Sequence, residues 1–268
     1  MKIKTILTPA ELPALAKRDL RDVVCVVFDV LRATSTFVTA LHNGAKGVIP
    51  VSEITEALAI RQKRPDVLLG GERDGVKIRA GGVDFDLGNS PREYTPDKVR
   101  GKTIVSTTTN GTRALRACVG AKTILAASFL NLTATAEFIK KLQPAQIVLI
   151  CAGTYEDMAD EDVLAAGALC ELLGEPDLEC GDTSPLSKAP TRRRSPKMTD
   201  SAKVAWRTYA EAKADLAGAV CNSTNGRRLL SIPELRDDVA FCLQHDIYPL
   251  IAMMESDGAN STLSLKTY

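Results

Sequence analysis

Histidine is nearly absent from this chain. There are two in 268 residues. His42 falls late in a predicted helix and His245 beside Cys242-Leu243-Gln244 near the C-terminus. That argues against a Ser-His-Asp triad or a two-histidine zinc site. Charge of one sign is also lacking: 34 Lys+Arg face 33 Asp+Glu, a formal charge of +1. No basic field is left to hold a polyanion, so nucleic acid is not an expected partner. Aromatics make up only 4%. No segment reaches about 18 consecutive apolar residues, and MKIKTILTPAELPALAKRDL holds no apolar stretch followed by a cleavage site. We therefore expect neither a membrane span nor secretion, and place the chain in the cytoplasm. The seven cysteines are odd in number and form no C-x-x-C pair. Several lie in apolar runs, as Cys25 does in VVCVVFDV, which reads as reduced thiols packed as small hydrophobes. The P-loop pattern G-x-x-x-x-G-K-[ST] is missing too.

What is present is strand–helix alternation. Strands are expected at 22–30, 46–52, 66–72, 102–110, 122–128 and 145–153. Helices are expected at 35–45, 54–64, 111–119, about 133–141, 161–174 and 204–222. The strands are continuous apolar runs, as when both sheet faces are covered. This predicts an α/β protein, a layered α/β/α arrangement with a largely parallel sheet. We read 1–268 as a single domain, with similar βα lobes at about 1–100 and 101–250 left open. Residues 28–52 and 105–128 echo each other: strand, polar turn, helix, Gly-Ala-Lys, strand, Ser. If the echo reflects duplication, the turns Asp29–Thr36 and Thr107–Arg113 face each other and build one site. Residues 182–203, rich in Ser, Thr, Pro and Arg, read as a mobile loop.

The chemistry gathers at strand C-termini, where open α/β sheets bind ligands. Asp29 ends a strand and precedes Arg32, Thr34, Ser35 and Thr36, a pattern suited to a cation and a phosphate, or to a helix cap. Thr107, Thr108, Thr109, Asn110, Gly111, Thr112 and Arg113 form a second polar strand end, readable as an oxyanion cradle or an elaborate turn. Glu72 and Arg73 follow Gly70-Gly71, and Asn89 and Ser90 follow Gly88. Glu156, Asp157, Asp160, Glu161 and Asp162 make an acidic group that suits either Mg²⁺ or a helix N-terminus. Cys221 and Arg227 have the C-x₅-R spacing of a cysteine phosphatase loop, but follow a predicted helix rather than a strand.

FDVLRATSTFVTAL, LLGGERDGVKI, DFDLGNSPREYTP, GKTIVSTTTNGTRAL and CAG…EDVLAAG, over roughly residues 20–175, resemble the 2-phosphosulfolactate phosphatase family. A weaker likeness runs through TDSAKVAWRTY and STNGRRL to DDVAFC. The resemblance implies an α/β fold and a Mg²⁺-dependent phosphatase acting on the phosphate ester of 3-sulfolactate, or on related esters of 2-hydroxy acids. The family's named substrate belongs to coenzyme M biosynthesis. Mg²⁺ is expected on Asp29, Glu161 and Asp162, with Glu72 a further candidate. Arg32, Arg113 and the Thr108–Thr112 segment are expected on the phosphoryl group, and Arg73 on the other acid groups. The nucleophile stays open between water, Asp29 and Cys221. A homo-oligomer stays open, as does a rival reading: a non-catalytic sensor or regulatory protein that binds an organophosphate.

Overall fold

The structure, a computed structural model, describes residues 1–80, 82–174, 196–257 and 262–268. Its strands are β1 (Lys2–Ile6), β2 (Val23–Phe28), β3 (Gly47–Pro50), β4 (Leu68–Arg73), β5 (Val76–Lys77), β6 (Arg79–Ala80), β7 (Val83–Asp84), β8 (Thr103–Thr107), β9 (Thr123–Ala127), β10 (Gln146–Cys151), β11 (Lys197–Met198), β12 (Ala252–Asp257) and β13 (Thr262–Thr267). The helices are α1 (Leu12–Leu15), α2 (Ala33–His42), α3 (Ile54–Lys63), α4 (Pro96–Val99), α5 (Gly111–Ala117), α6 (Leu132–Leu142), α7 (Asp160–Leu173), α8 (Asp200–Ala212), α9 (Leu216–Cys221), α10 (Thr224–Leu230) and α11 (Arg236–Cys242).

Eleven strands make one sheet in the order β11-β1-β10-β2-β9-β12-β13-β3-β8-β4-β5, flanked by helices, so the expected layered α/β architecture is present. Two parallel blocks, β11-β1-β10-β2-β9 and β3-β8-β4, are joined by the antiparallel hairpin β12–β13. The sequence reading had no strand in that tail.

The echo between residues 28–52 and 105–128 has a structural counterpart. The leading strand of the first unit, β2, pairs with the trailing strand of the second, β9. Reciprocally, β8 pairs with β3. The order β10-β2-β9-β12-β13-β3-β8-β4 is thus palindromic about the hairpin, as two related βαβ units would make it.

On a flat sheet β2 and β8, five steps apart, would be separated by about 24 Å. Three antiparallel steps also reverse β8 relative to β2, so twist of about 20–25° per step over five steps swings their carboxyl ends back to one side, and coiling of the sheet brings those ends together. The turns after β2 and β8 do meet: a β-carbon built on Gly111 would lie 2.5 Å from Asp29 Oδ2. Glycine is needed there to admit the close approach.

Alternation within buried strands divides the core. Val23, Cys25 and Val27 face α2 and α5, whereas Val24, Val26 and Phe28 face α6, α7 and α8. α2 is buried along residues 33–41. Its hydroxyls are satisfied by backbone carbonyls, as Thr39 Oγ1 donating to Ser35 O at 2.8 Å shows.

Most expected elements are present with ends shifted by up to about three residues, and some differ further. The predicted helix at 204–222 begins at Asp200 and breaks at 213–215 into α8 and α9. The segment expected to be a mobile loop contains β11 and the start of α8 from 197 on, because Lys197 N and Thr199 N donate to Met1 O and Ile3 O. The rest of that expectation, at 182–195, lies outside the described residues. Finally, β1 passed unread although it pairs along its length with β10.

The six described cysteines are free thiols. His42 stacks on Tyr248 at 4.0 Å and His245 lies 5.1 Å from Phe129, so both serve packing. Among the described residues, no helix is long and apolar enough to cross a membrane.

Candidate active site

One cleft receives the turns after β2, β4, β8 and β10 together with α10. Its lining includes Asp29, Arg32, Glu72, Asn89, Thr109, Asn110, Tyr155 and Arg228, and it encloses about 470 Å³ including its open mouth. Residues from four strand ends thus converge where the strand-end rule placed them.

Asp29 is buried at the tip of β2. Its Oδ1 accepts from Ala33 N at 3.0 Å, and among the described residues its Oδ2 meets no donor. Burial pushes the Asp29 carboxyl up to about 7. The negative charges of Glu72 and Glu161 add to that, while the Ala33 amide and Arg32 oppose it.

Asp162, on the first turn of α7, accepts from Val30 N at 2.8 Å through Oδ1 and from Gly153 N at 3.0 Å through Oδ2. It ties the end of β2 to the end of β10. Burial, then repulsion from Asp29 and Glu161, raises it well above the carboxylate range. Glu161 Oε1 accepts from Asn225 Nδ2 at 2.8 Å and its Oε2 from Ser223 Oγ at 3.1 Å. It too is raised, chiefly by burial. Glu72 accepts from Thr109 N at 2.8 Å and Gly75 N at 2.7 Å, one oxygen each.

Three expected ligands, Asp29, Glu161 and Asp162, therefore fall in one region. Yet among the described residues no three of His, Cys, Asp and Glu are placed to hold one metal ion. Both oxygens of Asp162 and of Glu161 accept hydrogen bonds within the fold, each keeping a second lone pair.

Several expected binding groups are turned inward. Thr34 Oγ1 donates to Asp29 O at 2.9 Å, Ser35 Oγ to Val30 O at 2.8 Å and Thr36 Oγ1 to Asn89 O at 2.7 Å. Thr108 and Thr112 cap each other, with Thr112 N donating to Thr108 Oγ1 at 3.1 Å and Thr112 Oγ1 to Thr108 O at 3.1 Å. Thr107 Oγ1 donates to Ser52 O at 3.0 Å and accepts from Arg73 Nη2 at 2.9 Å. Arg73 also donates to Glu72 O at 2.8 Å and does not line the cleft. Ser90 Oγ donates to Asp238 Oδ1 at 2.7 Å. Arg113 sits on the exposed side of α5 with Glu156 at 3.4 Å, away from the lining. Asp157 and Asp160 are exposed.

The expectations that do reach the cleft are Asp29, Arg32, Glu72, Asn89, Thr109 and Asn110. Asn110 Nδ2 donates to Ala152 O and Tyr155 O, both at 2.8 Å, and so fixes the turn after β10. Among the described residues Asn89 Oδ1 is buried without a partner.

The sequence reading missed the groups supplied by the last third of the chain. Asp238 on α11 accepts from Arg32 Nη1 at 2.9 Å, a buried ion pair. Arg32 Nη2 donates to Gly75 O at 2.8 Å. Asn225 Nδ2 donates to Leu31 O at 2.7 Å. Arg228 donates to Asp74 O at 2.6 Å, and Tyr155 Oη donates to Asp74 Oδ1 at 2.9 Å. STNGRRL and DDVAFC were the only signal for these residues.

Cys221 ends α9 outside the cleft lining, and Arg227 turns back to Asn222 O. The C-x₅-R spacing is a helix end, as its context suggested.

A cleft of this make, with carboxylates and guanidinium groups at the strand ends of an α/β sheet, belongs to the class of hydrolases acting on small phosphate esters, as the comparisons bear out. The model of the 2-phosphosulpholactate phosphatase family matches residues 7–257, and the chain belongs to that family of phosphoric monoester hydrolases. Curated relatives carry the name "Probable 2-phosphosulfolactate phosphatase". One from Thermotoga petrophila is 41% identical over 226 residues, covering 84% of this chain and 86% of its own. One from Caldanaerobacter subterraneus is 37% identical, covering 89% and 90%. One from Caldicellulosiruptor saccharolyticus is 47% identical, covering 62% and 69%.

Proposed function

We propose that this chain hydrolyses the phosphate monoester of a small 2-hydroxy acid, 2-phosphosulfolactate foremost, and that it uses Mg²⁺ to do so. The observation that carries the reading is the convergence of Asp29, Glu72, Thr109, Asn110 and Arg32 in one cleft of a chain belonging to this family. Hydrolysis forms a bond from water oxygen to phosphorus and breaks the ester P–O bond. The departing oxygen keeps the electron pair and takes a proton, giving 3-sulfolactate and phosphate.

The residues fit a hard cation. The donors are all carboxylate oxygens, the chemistry Mg²⁺ prefers. Burial raises the Asp29 and Asp162 carboxyls first, and the charge of Glu161 raises both further, so a cation beside them would relieve the cluster. Asp29, with its open Oδ2, is the first ligand, and Glu161, Asp162 or Glu72 a second. Mg²⁺ is ordinarily held by one or two carboxylates, waters and substrate phosphate, so no three-carboxylate cage is required. When bound, Mg²⁺ neutralises charge on the phosphoryl oxygens. Glu72 holds the backbone of Thr109 in place, and Asn110 holds the wall after β10. Catalysis then rests on positioning and electrostatics. We infer that water is the nucleophile.

The test is phosphate release from 2-phosphosulfolactate, phospholactate and p-nitrophenyl phosphate, each with Mg²⁺ and with EDTA. Turnover that requires Mg²⁺ supports the proposal. Tight ligand binding without turnover of any ester supports a sensor instead, and turnover unaffected by EDTA removes the metal.

A further inference from the structure

Two guanidinium groups converge at one end of the cleft. A single carbon added to Gly75 would lie 3.7 Å from Arg228 Nη2 and 3.9 Å from Arg32 Nη2. Like charges in one cleft repel, and an anion between them relieves that. Among the described residues Arg32 has such a partner in Asp238. Among the described residues no carboxylate pairs with Arg228, whose partners are the Asp74 carbonyl and the face of Tyr155, 5.8 Å from its Cζ.

Arg228 is also preorganised. It stands on α10, whose Asn225 is bonded to Leu31 O and Glu161 and whose N-terminal Ser223 is bonded to Glu161. The segment that carries Arg228 is therefore fastened to the turn that carries Asp29 and Arg32. A third relation sets the scale. Glu72 accepts from Thr109 N with one oxygen and from Gly75 N with the other. One carboxylate spans the two, so Thr109 and Gly75 are at most about 8 Å apart. That is the reach of a three-carbon acid with a phosphate on its middle carbon and an acid group at an end.

We propose that Arg228, beside Arg32, binds an acid group of the substrate other than its phosphate, and so selects multiply anionic esters over simple ones. The inference rests on the phosphatase reading above and deepens it by naming the selecting residue. The planar guanidinium fork suits either a carboxylate or a sulfonate. Both groups share the required chemistry of an anion with several equivalent oxygens.

The experiment compares wild type, Arg228→Ala and Arg228→Lys on four esters: 2-phosphosulfolactate, phospholactate, 2-phosphooxyethanesulfonate and p-nitrophenyl phosphate. Arg228→Ala is expected to lower kcat/KM on 2-phosphosulfolactate about 10- to 100-fold more than on p-nitrophenyl phosphate, mainly through KM, as loss of a charge-assisted contact should. Arg228→Lys is expected to restore part of the difference. Whether phospholactate or 2-phosphooxyethanesulfonate retains the extra loss tells carboxylate from sulfonate. An equal loss on all four esters, or none on 2-phosphosulfolactate, overturns the proposal.

A binding measurement needs no turnover. 3-Sulfolactate is expected to raise the Tm of wild type but not of Arg228→Ala, whereas inorganic phosphate raises both. No shift of wild type by 3-sulfolactate overturns the proposal. A shift that depends on Arg228 in a protein hydrolysing none of the esters sinks the phosphatase reading and leaves Arg228 as the anion-binding residue.

Discussion

Replacing Asp238 by alanine should damage both stability and activity, and the two effects can be separated. Asp238 is fully buried, and its Oδ2 takes a hydrogen bond from Arg32 Nη1 at 2.9 Å while its Oδ1 takes one from Ser90 Oγ at 2.7 Å. Arg32 is itself 3% exposed. Removing the carboxylate leaves a guanidinium without its counter-charge in a place water barely reaches. Breaking one partner of a buried pair costs roughly 3–5 kcal/mol. For a domain of this size each kcal/mol shifts Tm by about 2–4 °C, so Asp238→Ala should melt roughly 6–20 °C below wild type. Differential scanning calorimetry or a dye-based melt at matched buffer reads this directly. The double variant Arg32→Met/Asp238→Leu replaces both charges with apolar groups, a change that is often neutral for stability. It should recover most of the lost Tm yet stay impaired in phosphate release, because the cleft has lost Arg32. A melt within about 1 °C of wild type for Asp238→Ala, with kcat/KM intact, would refute the reasoning.

Asp29→Asn, which keeps the shape and removes the charge, should cut kcat by at least about 100-fold. Steady-state assay checks it, and an unimpaired rate would deny Asp29 its role. Thr36→Val removes the hydroxyl that donates to Asn89 O. It should destabilise by about 1–3 kcal/mol in a urea melt while the folded fraction keeps its KM, whereas a raised KM would restore Thr36 to the binding surface. Cys221→Ser should keep turnover, since Cys221 lies outside the cleft lining, and abolition of turnover with substrate still bound would make it the nucleophile. Burial pushes the Cys170 and Cys242 thiols up to about 12. Unfolded thiols ionise near about 8.5. The unfolded chain therefore releases these protons first, and stability should fall as pH rises from about 9 toward 12. Chemical denaturation across that range should show the slope flattened in Cys242→Ala, and an unchanged slope would count against burial as its cause.

Much of the fold could be read from residues alone because its strands are near-continuous apolar runs and its helices follow polar turns. VVCVVF and QIVLIC became β2 and β10 within a residue or two of expectation. What failed had a local explanation. IAMMESD is a short apolar run that turns charged at Glu255, and TLSLKT, although it alternates apolar with polar residues, carries only two apolar side chains. Half the site was readable for a similar reason. Asp29, Glu72 and Thr109 stand at strand tips, where chain order predicts convergence. Arg228 reaches the same cleft, and Asp238 the cleft residue Arg32, from helices about 200 residues further on, and only tertiary packing decides that. The hydroxyl runs misled in the opposite direction. Thr34, Ser35 and Thr36 look like ligand contacts in sequence, but a turn that feeds a fully buried helix needs its own carbonyls capped.

The hairpin β12–β13 follows every other strand in the chain, yet it occupies the seam between the two parallel blocks. Until it is threaded in, β9 and β3 each present an unzipped border of amides and carbonyls, and the halves are held by packing and by strand-end contacts such as those of Asn110 with Ala152 and Tyr155. During synthesis the nascent protein therefore carries two open templates for stray strand addition. Its solubility in that interval depends on how long the closing segment is delayed.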